Sequence, residues 1–450
     1  MVKYKAYPEY KDSGVEWLGE IPIHWICTQI KYGYDITLGK MLQKNKSSSK
    51  DELKPYLKAQ NIQPKGIDLS VVDNMWFSPD EKNKLLLKNN DVLISEGGDV
   101  GRSALWQGQL VECYIQNAIN RARAIKGNSP YFLNYWMVYL KSADFINTLC
   151  NKATIPHYTA EKVETSPLLL PNCDEQLHIS LFLDHETAKI DNLIKKQQQL
   201  IELLKEKRQA VISHAVTKGL NPNVPMKDSG VKWLGKLPSH WQALPTKRLF
   251  RLVAEPAEIN NDYELLSVYT AIGVAPRKDL EPKGNKASTT DGYWKVRQGD
   301  IIVNKLLAWM GAVGFSNYDG VTSPAYDILR KVKDINPKFY HYLFRLELTQ
   351  REFKRWSRGI MEMRLRLYFE ELGRIIMPVP PRQEQDVIVE EIEKIEHQYS
   401  QLENIASHQI DLLKERRTAL ISAAVTGKID VRDWVAPDTQ DVEEPQEATA

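Results

Sequence analysis

At 450 residues and 51.7 kDa the chain is longer than one hydrophobic core usually supports, so we expect two or three domains. The 42% hydrophobic content predicts folded cores, while a formal net charge of +2 neither indicates nor excludes a nucleic-acid ligand. The first twenty residues lack the apolar core expected of a signal peptide, no run of about 18 apolar residues occurs, and the four cysteines form no CxxC pair. These features predict a cytoplasmic protein without a structural metal site.

The sequence contains an internal repeat. Residues 11–25 read KDSGVEWLGEIPIHW and residues 227–241 read KDSGVKWLGKLPSHW, which match at eleven of fifteen positions. A second pair lies at an offset of 209 residues: LLKEKRQAVISHAVT from Leu203 and LLKERRTALISAAVT from Leu412. The two halves therefore begin and end alike while their interiors differ. Such a pattern indicates a duplicated frame that carries two different surfaces.

The first half is predicted to hold an α+β domain over residues 1–170. A strand over 91–95 precedes Gly97-Gly98, and a helical run covers 130–149. Its polar side chains suit a polyanion, because Arg can grip guanine edges and Asn or Gln can grip adenine edges. The candidate DNA-binding residues here are Arg102, Gln116, Asn117, Asn120, Arg121 and Arg123.

A long helix is predicted within residues 171–220. No Gly or Pro occurs from Glu175 to about Ala215, and a heptad line runs through Leu183, Ile190, Gln197, Leu204 and Val211. Leu193 and Leu200 occupy intervening seam positions. Pro171 marks the start of this helix and Gly219 its end.

The second half repeats the plan, with an α+β domain over 221–379 and a second long helix within 380–430. This domain contains a strand over 300–303 and a helical run over 337–356, and the seam of the second helix runs through Ile392, Tyr399, Ala406, Leu413 and Leu420, with Ile388, Ile395 and Leu402 beside it. The candidate DNA-binding residues here are Arg277, Lys278, Asn304, Lys305, Arg355, Arg358, Arg364 and Arg366.

Residues 431–450 are predicted to be an acidic, disordered tail. Removal of its six carboxylates after Arg432 would raise the formal charge of the body from +2 to about +8, which suits a phosphate-binding surface.

Each predicted helix exposes an apolar stripe that a single helix cannot bury, so we expect the two to pair as an antiparallel coiled coil. Forty helical residues span about 60 Å, or roughly 18 base pairs of duplex. The pair is therefore predicted to act as a ruler between two end domains. Dimerisation of the whole protein through these heptads is the alternative.

Catalytic motifs are absent from the sequence: it has no nucleotide-binding loop, no amino-methyltransferase motif, no HExxH and no GxSxG. The nuclease-like string Pro79 to Lys82 is interpreted as a turn, and His24 and His240 as packing or hydrogen-bonding residues. We therefore predict no catalytic residue and no metal ligand in this chain.

Taken together, the doubled openings, the strand at 91–95 with its Gly-Gly, the segment GIMEMRLRLYFEELGRIIMPVPPRQEQ from Gly359, and the two helix ends resemble type I restriction-modification specificity subunits. The likeness covers residues 11–432. It implies two target-recognition domains that each read half of a split DNA site, and helices that set the spacing and dock two methyltransferase subunits.

The resemblance also implies that all chemistry belongs to partner subunits. The complex would methylate adenine with S-adenosylmethionine, and with motor-nuclease subunits it would use ATP and Mg²⁺ to translocate and cleave DNA; this chain would hold no cofactor. The alternative hypothesis is a coiled-coil scaffold whose end domains bind proteins and not DNA. A self-contained nuclease is a third hypothesis, and it depends on Pro79 to Lys82 alone.

Overall fold

The computed structural model describes residues 4–150, 156–279, 290–361 and 364–435. The chain divides into two compact units, one of Met1–Gln197 with His408–Ala450 and the other of Gln198–Ser407. Each long helix contributes to both units, since α5 spans Cys173–Lys218 and α9 spans Arg382–Val425. Among the described residues, no helix combines the length and hydrophobicity needed to cross a bilayer.

The first unit is a mixed α+β structure. Its strands are β1 (Tyr10–Asp12), β2 (Glu20–Pro22), β3 (Ile26–Gln29), β4 (Tyr34–Leu38), β5 (Glu52–Leu57), β6 (Ile62–Gln63), β7 (Gly66–Ile67), β8 (Asp73–Phe77), β9 (Asp91–Ser95), β10 (Ser103–Trp106), β11 (Tyr114–Ile115), β12 (Ile119–Ala124) and β13 (Pro167–Leu170). Its shorter helices are α1 (Pro79–Leu85), α2 (Pro130–Ser142), α3 (Phe145–Cys150) and α4 (Ala160–Thr165). The central sheet is antiparallel with strand order β10-β9-β12-β4. All five residues of β9 are buried, the apolar Val92, Leu93 and Ile94 as well as the polar Asp91 and Ser95 at its ends.

The second unit repeats this layout. Its strands are β14 (Met226–Asp228), β15 (Lys236–Pro238), β16 (Gln242–Pro245), β17 (Phe250–Val253), β18 (Leu266–Tyr269), β19 (Gly273–Pro276), β20 (Trp294–Val296), β21 (Ile301–Asn304), β22 (Val313–Phe315), β23 (Gly320–Thr322), β24 (Tyr326–Lys331) and β25 (Ile376–Val379). Its shorter helices are α6 (Pro337–Phe344), α7 (Glu347–Trp356) and α8 (Phe369–Leu372). The central sheet has the order β17-β24-β21-β22, so it matches the first sheet strand for strand. The predicted α+β class with an internal repeat is confirmed.

The two long helices run antiparallel in the first unit. Asp191 on α5 forms an ion pair with Arg417 on α9 at 3.2 Å. Further back along α5, Phe182 packs against Trp434, which lies beyond the end of α9, with ring centroids 5.5 Å apart. Residue numbers decrease along α5 in the direction in which they increase along α9, so the predicted antiparallel pairing is confirmed in this unit. Trp434 and the buried Val431 also show that the folded part extends to residue 435, whereas residues 436–450 of the predicted tail lie outside the described residues.

The same pairing occurs in the second unit. Arg208 on α5 forms an ion pair with Glu403 on α9 at 3.1 Å. Just beyond the end of α5, Gly219 lies close to Glu384, because a Cβ built on this glycine would be 3.3 Å from Oε1 of Glu384. The partners again run in opposite directions.

One predicted heptad line of each helix faces inward. Leu183, Ile190, Ile392, Ala406 and Leu420 are all buried. The neighbouring seam positions differ: Leu193, Leu200 and Leu402 are each between 44% and 47% exposed, so their prediction as seam residues was wrong. A strict two-position seam fails because each helix also packs against strands and short helices of its own domain, which rotates the buried face.

In the first unit, residues that follow α9 contact residues near the N-terminus. The backbone N–H of Asp430 donates to the carbonyl of Lys5 at 2.7 Å, and the Tyr10 hydroxyl donates to the carbonyl of Gly427 at 3.1 Å. Gly427 lies against Trp25 in the same way that Gly219 lies against Trp241 in the second unit. The end of α9 therefore takes the place, relative to the first repeat segment, that the end of α5 takes relative to the second.

A buried carboxylate anchors the first repeat segment to α5. Glu175 is 2% exposed and accepts hydrogen bonds from the Tyr7 hydroxyl at 2.6 Å and from Nε1 of Trp25 at 3.0 Å, and Nε2 of His24 lies 2.9 Å from its other oxygen. In the second unit, Nε2 of His240 lies 2.7 Å from Glu384. The predicted hydrogen-bonding role of both histidines is confirmed.

Glu175→Ala is expected to lower the free energy of unfolding by about 2 to 4 kcal/mol, because it leaves two buried donors without an acceptor. Glu384→Ala is the matched control, since that carboxylate is 29% exposed and contacts chiefly His240. Its loss is expected to be below about 1 kcal/mol. Urea unfolding of the two variants measures both values, and equal losses would contradict the anchoring role of Glu175.

Candidate DNA interface

A glycine turn joins β9 to β10 and carries the first candidate, Arg102. Its guanidinium donates to Asp99 at 2.6 Å and to the carbonyl of Ile62 at 3.0 Å, so it holds the turn together. Gly101 has φ +74°, and a Cβ there would lie 2.5 Å from Ile146, which explains why glycine is needed. Arg102 is therefore already engaged with protein groups.

The amides of Gln116 and Asn117 lie on the turn between β11 and β12. Their backbone N–H groups are fixed by the carbonyls of Leu57 at 3.0 Å and Lys40 at 2.8 Å. Both side chains are half-buried, and neither amide group has a hydrogen bond to another described residue. An Asn or Gln amide without a protein partner can form the bidentate pair with an adenine edge that direct readout uses.

Two candidates on β12, Asn120 and Arg121, are buried in the interior. Asn120 is fully buried and donates to the carbonyl of Tyr158 at 2.9 Å. Arg121 is 3% exposed and donates to the Thr37 hydroxyl at 2.7 Å. Burial lowers the pKa of its guanidinium. These side chains hold β12 to its neighbours and are not part of the described surface.

Arg123 forms a bidentate pair with buried Asp91, with both N···O distances 2.7 Å, and this hydrogen bonding raises the pKa of Arg123. The second sheet has the same device, because Arg330 grips Asp300 at 2.9 and 2.8 Å. Sequence reasoning missed Arg330. The match of Asp91 with Asp300 at the offset of 209 residues could have indicated it. This match marks an Arg–Asp pair that supports the sheet and does not contact DNA bases.

Most candidates of the second unit also have protein partners. Asn304 is buried and accepts the N–H of Leu306 at 3.0 Å. The remaining pairs join Lys278 to Glu264, Lys305 to Asp327, Arg355 to Glu352 and Arg358 to Glu371, and Arg277 also has a partner. Surface pairs of this kind can open when a phosphate competes, but they offer no free cation in this structure.

Arg364 and Arg366 differ from that set. Both are exposed, and neither guanidinium has an ion-pair partner in the described part of the chain. The backbone of Arg366 is held by two hydrogen bonds of 2.9 Å with Arg358. The fold therefore brings two unpaired guanidinium groups onto one short, anchored loop.

A half-buried arginine positions the neighbouring loops of the second unit. Arg345 donates to the carbonyls of Thr270 and Ala271, both at 2.8 Å, and lies 3.3 Å from the carbonyl of Gly311. Burial holds the pKa of the adjacent His341 down at about 3, so this imidazole is neutral and accepts the N–H of Phe315. Both residues fix backbone that the sequence alone marked only as polar and glycine-rich.

The nuclease-like string begins a helix. Pro79 to Lys82 forms the first turn of α1, so the predicted turn was wrong. Ser78 accepts the N–H of Glu81 at 3.3 Å while Glu81 accepts the N–H of Ser78 at 2.8 Å, which makes a reciprocal cap. Glu81 also pairs with Lys40. Among the described residues, no three His, Cys, Asp or Glu side chains form a group that could hold a metal.

The fold is a doubled α+β arrangement in which two long helices pair. Residues 35–203 match the family model described as the type I restriction modification DNA specificity domain. The similarity to type I specificity subunits that the sequence indicates is therefore confirmed.

Comparisons with full-length proteins agree. The chain is 20% identical over 436 residues to the EcoBI specificity subunit of Escherichia coli, covering 93% of this chain and 89% of that protein. It is 24% identical over 311 residues to the EcoDI specificity subunit of Escherichia coli, covering 63% and 67%.

Two solved structures share the fold. A chain from a type I R-M system, solved in work on complex assembly and conformational transition, gives a TM-score of 0.64 at 14% identity, with 91% of this chain and 99% of that chain covered. The HsdS subunit from Thermoanaerobacter tengcongensis gives 0.55 at 16% identity, with 91% and 98% covered.

Substitution of Gln116 or Asn117 by Ala is expected to weaken discrimination at one position of a DNA site by about 1 to 3 kcal/mol without changing thermal stability. Binding to duplexes that vary one base pair at a time measures this loss. Asn120→Ala is the control, because loss of this buried amide is expected to lower the melting temperature. Unchanged base preference in both surface variants would contradict their assignment as base readers.

Proposed function

We propose that this chain is the non-catalytic DNA-sequence recognition subunit of a type I restriction-modification complex, in which each α+β domain reads one half of a split DNA site. The observation that carries the proposal is the repetition of one sheet order, β10-β9-β12-β4 and β17-β24-β21-β22, beneath two unlike sets of polar loops. A constant frame with changed loops gives two similar binding modes with two different sequences read.

Gln116 and Asn117 in the first domain, with Arg364 and Arg366 in the second, are the proposed DNA contacts among the candidates. They combine exposure or half-exposure with side chains that have no protein partner in the described chain. Amides suit adenine, and guanidinium groups suit guanine or phosphate. The buried candidates support the sheet beneath them.

Docking of two methyltransferase subunits is supported by a repeated surface. In the first unit a groove is lined by Lys414, Glu415, Thr418, Ala419 and Ser422 of α9 together with the end of α2. In the second unit a groove is lined by Lys205, Glu206, Gln209, Ala210 and Ser213 of α5 together with the start of α7. The two sets of helix residues are related by the offset of 209, so one kind of partner fits both grooves.

Exposed leucines on the helices repeat with the same offset. Leu193 and Leu402 are 46% and 47% exposed, and Leu203 and Leu412 are 60% and 50% exposed. Apolar side chains repeated on two surfaces favour helix-in-groove association with two copies of one partner.

The chemistry would belong to these partners. Methyltransferase subunits would bind S-adenosylmethionine and methylate adenine, and motor-nuclease subunits would use ATP and Mg²⁺ to translocate and cleave DNA. This chain would supply the DNA sequence specificity of the complex.

Expression of the chain with a methyltransferase partner in a methylation-free host is expected to place N6-methyladenine in one split motif, read by methylome sequencing. The same host with the partner alone is the control and should lack that motif. If methylation never appears in a split motif, or if the purified complex binds duplex DNA with no dependence on salt, the proposal fails and the protein-scaffold alternative is favoured.

The long helices are proposed to set the spacing between half-sites. α5 has 46 residues, which corresponds to about 69 Å of helix. Deletion of one heptad from each helix, Lys196 to Glu202 and Ile405 to Asp411, keeps both buried lines in phase and removes about 10 Å from each.

This paired deletion is expected to shorten the unread spacer of the methylated motif by up to roughly three base pairs while both half-sites stay unchanged. Deletion of the first heptad alone is the control and should impair assembly, because the pair is then mismatched. A fully active paired-deletion complex with the original spacing would show that the helices are not the ruler.

A further inference from the structure

The loop between β4 and β5 is rich in lysine. Residues 41–50 read MLQKNKSSSK, with three lysines and no acidic residue, and we call this segment the basic loop. Every residue in it is exposed except Gln43, which is half-buried. None of its lysines was singled out from the sequence, because three lysines in a ten-residue segment change the average charge of the chain very little.

The basic loop has a defined conformation. Asp51 is 5% exposed, and its carboxylate accepts the backbone N–H groups of Ser47 at 2.9 Å and Ser48 at 3.0 Å. These hydrogen bonds, with that from Ser47 the largest influence, lower the pKa of Asp51. At the other end, the carbonyl of Gln43 accepts the N–H of Trp76 at 3.1 Å. The loop is held at both ends, so a ligand would meet a preformed surface.

The lysines of the basic loop lack anionic partners. Lys44 and Lys50 form no ion pair with any described residue, and Nζ of Lys46 lies 5.3 Å from the centre of the Trp76 ring. The lysines that flank the loop are all neutralised, in the pairs Lys40 with Glu81, Lys54 with Glu112 and Lys58 with Asp73. Within residues 40–58, the lysines without an ion-pair partner among the described residues are therefore those of the basic loop.

The basic loop begins beside the amide turn of Gln116 and Asn117. The N–H of Lys40 donates to the carbonyl of Ile115 at 3.0 Å, and Lys40 in turn accepts the N–H of Asn117. Gly39 is packed so closely that a Cβ would lie 2.2 Å from the carbonyl oxygen of Gln116. The position of the loop is thus coupled to that of the proposed base readers.

The second unit has no counterpart of this charge. The segment that follows β17, residues 254–265, reads AEPAEINNDYEL, with four acidic residues and no lysine or arginine. Since β4 and β17 hold the same place in matching sheets, the basic loop belongs to the first domain and not to the repeated frame.

We propose that the basic loop grips the phosphate backbone of DNA through Lys44, Lys46 and Lys50, and that this grip sets Gln116 and Asn117 against the base edges. The inference depends on the proposed function and adds a phosphate-binding surface to the first domain. Phosphate contacts of this kind fix register and orientation while the amides supply the sequence preference.

The test uses the full chain in complex with its methyltransferase partner and compares two triple variants, K44Q/K46Q/K50Q and K44R/K46R/K50R. Binding to a target duplex and to a scrambled duplex is measured over a range of salt concentrations. The Gln variant is expected to lose roughly tenfold or more in affinity for both duplexes, and the slope of log K against log salt is expected to become shallower by about 2.7 for three lost contacts.

The Arg variant keeps the charge and is expected to keep both the affinity and the slope of the wild type. The methylated motif should be unchanged in both variants, and thermal melting confirms that they are folded. A Gln variant with wild-type affinity and slope would overturn the inference. So would a changed motif with unchanged affinity for scrambled DNA, because the loop would then read bases.

Failure of the proposed function gives a different result. In that case the wild-type complex itself shows no preference for any split motif and no salt-dependent binding, and both proposals fall together. Wild-type binding that is specific, with lysine variants that are indistinguishable from it, removes the phosphate grip alone.

Discussion

Two helices of 46 and 44 residues each carry an apolar stripe that neither can bury alone. The antiparallel pairing seen in each unit buries one heptad line of each helix, and the ion pairs Asp191–Arg417 in one unit and Arg208–Glu403 in the other mark its register. Each α+β domain also packs against its own stretch of this pair. Loss of the pairing would therefore expose part of both cores.

Duplication explains how one chain can meet this constraint twice. The end of α9 packs against the first repeat segment as the end of α5 packs against the second, and Gly427 and Gly219 make the same close approach to a tryptophan. The carboxylates Glu175 and Glu384 fasten these junctions through His24 and His240. The repeated residues thus serve the frame, which leaves the intervening loops free to differ.

The polar residues of the interiors divide between support and surface. Arg123 with Asp91, and Arg330 with Asp300, hold equivalent strands in the two sheets, and both guanidinium groups are bound to buried carboxylates. Gln116, Asn117, Arg364 and Arg366 lie in segments where backbone hydrogen bonds fix the chain, and their side chains have no partner among the described residues. Buried charges demand partners, so burial separates the two groups more sharply than residue type does.

The duplication, the α+β class, the two long helices and the similarity to specificity subunits could all be predicted from the sequence, because periodic apolar patterns and repeated segments are local signals. The sequence predicted the inward heptad lines through Ile190 and Ala406 but not the exposure of Leu193 and Leu402. It also could not tell that Asn120 and Arg121 are buried, that Pro79 begins a helix, or that Lys44 and Lys50 are unpaired while Lys54 is not. Only the tertiary structure decided these points, because exposure and pairing depend on which distant strands and helices come to lie against a residue, and local sequence does not record those neighbours.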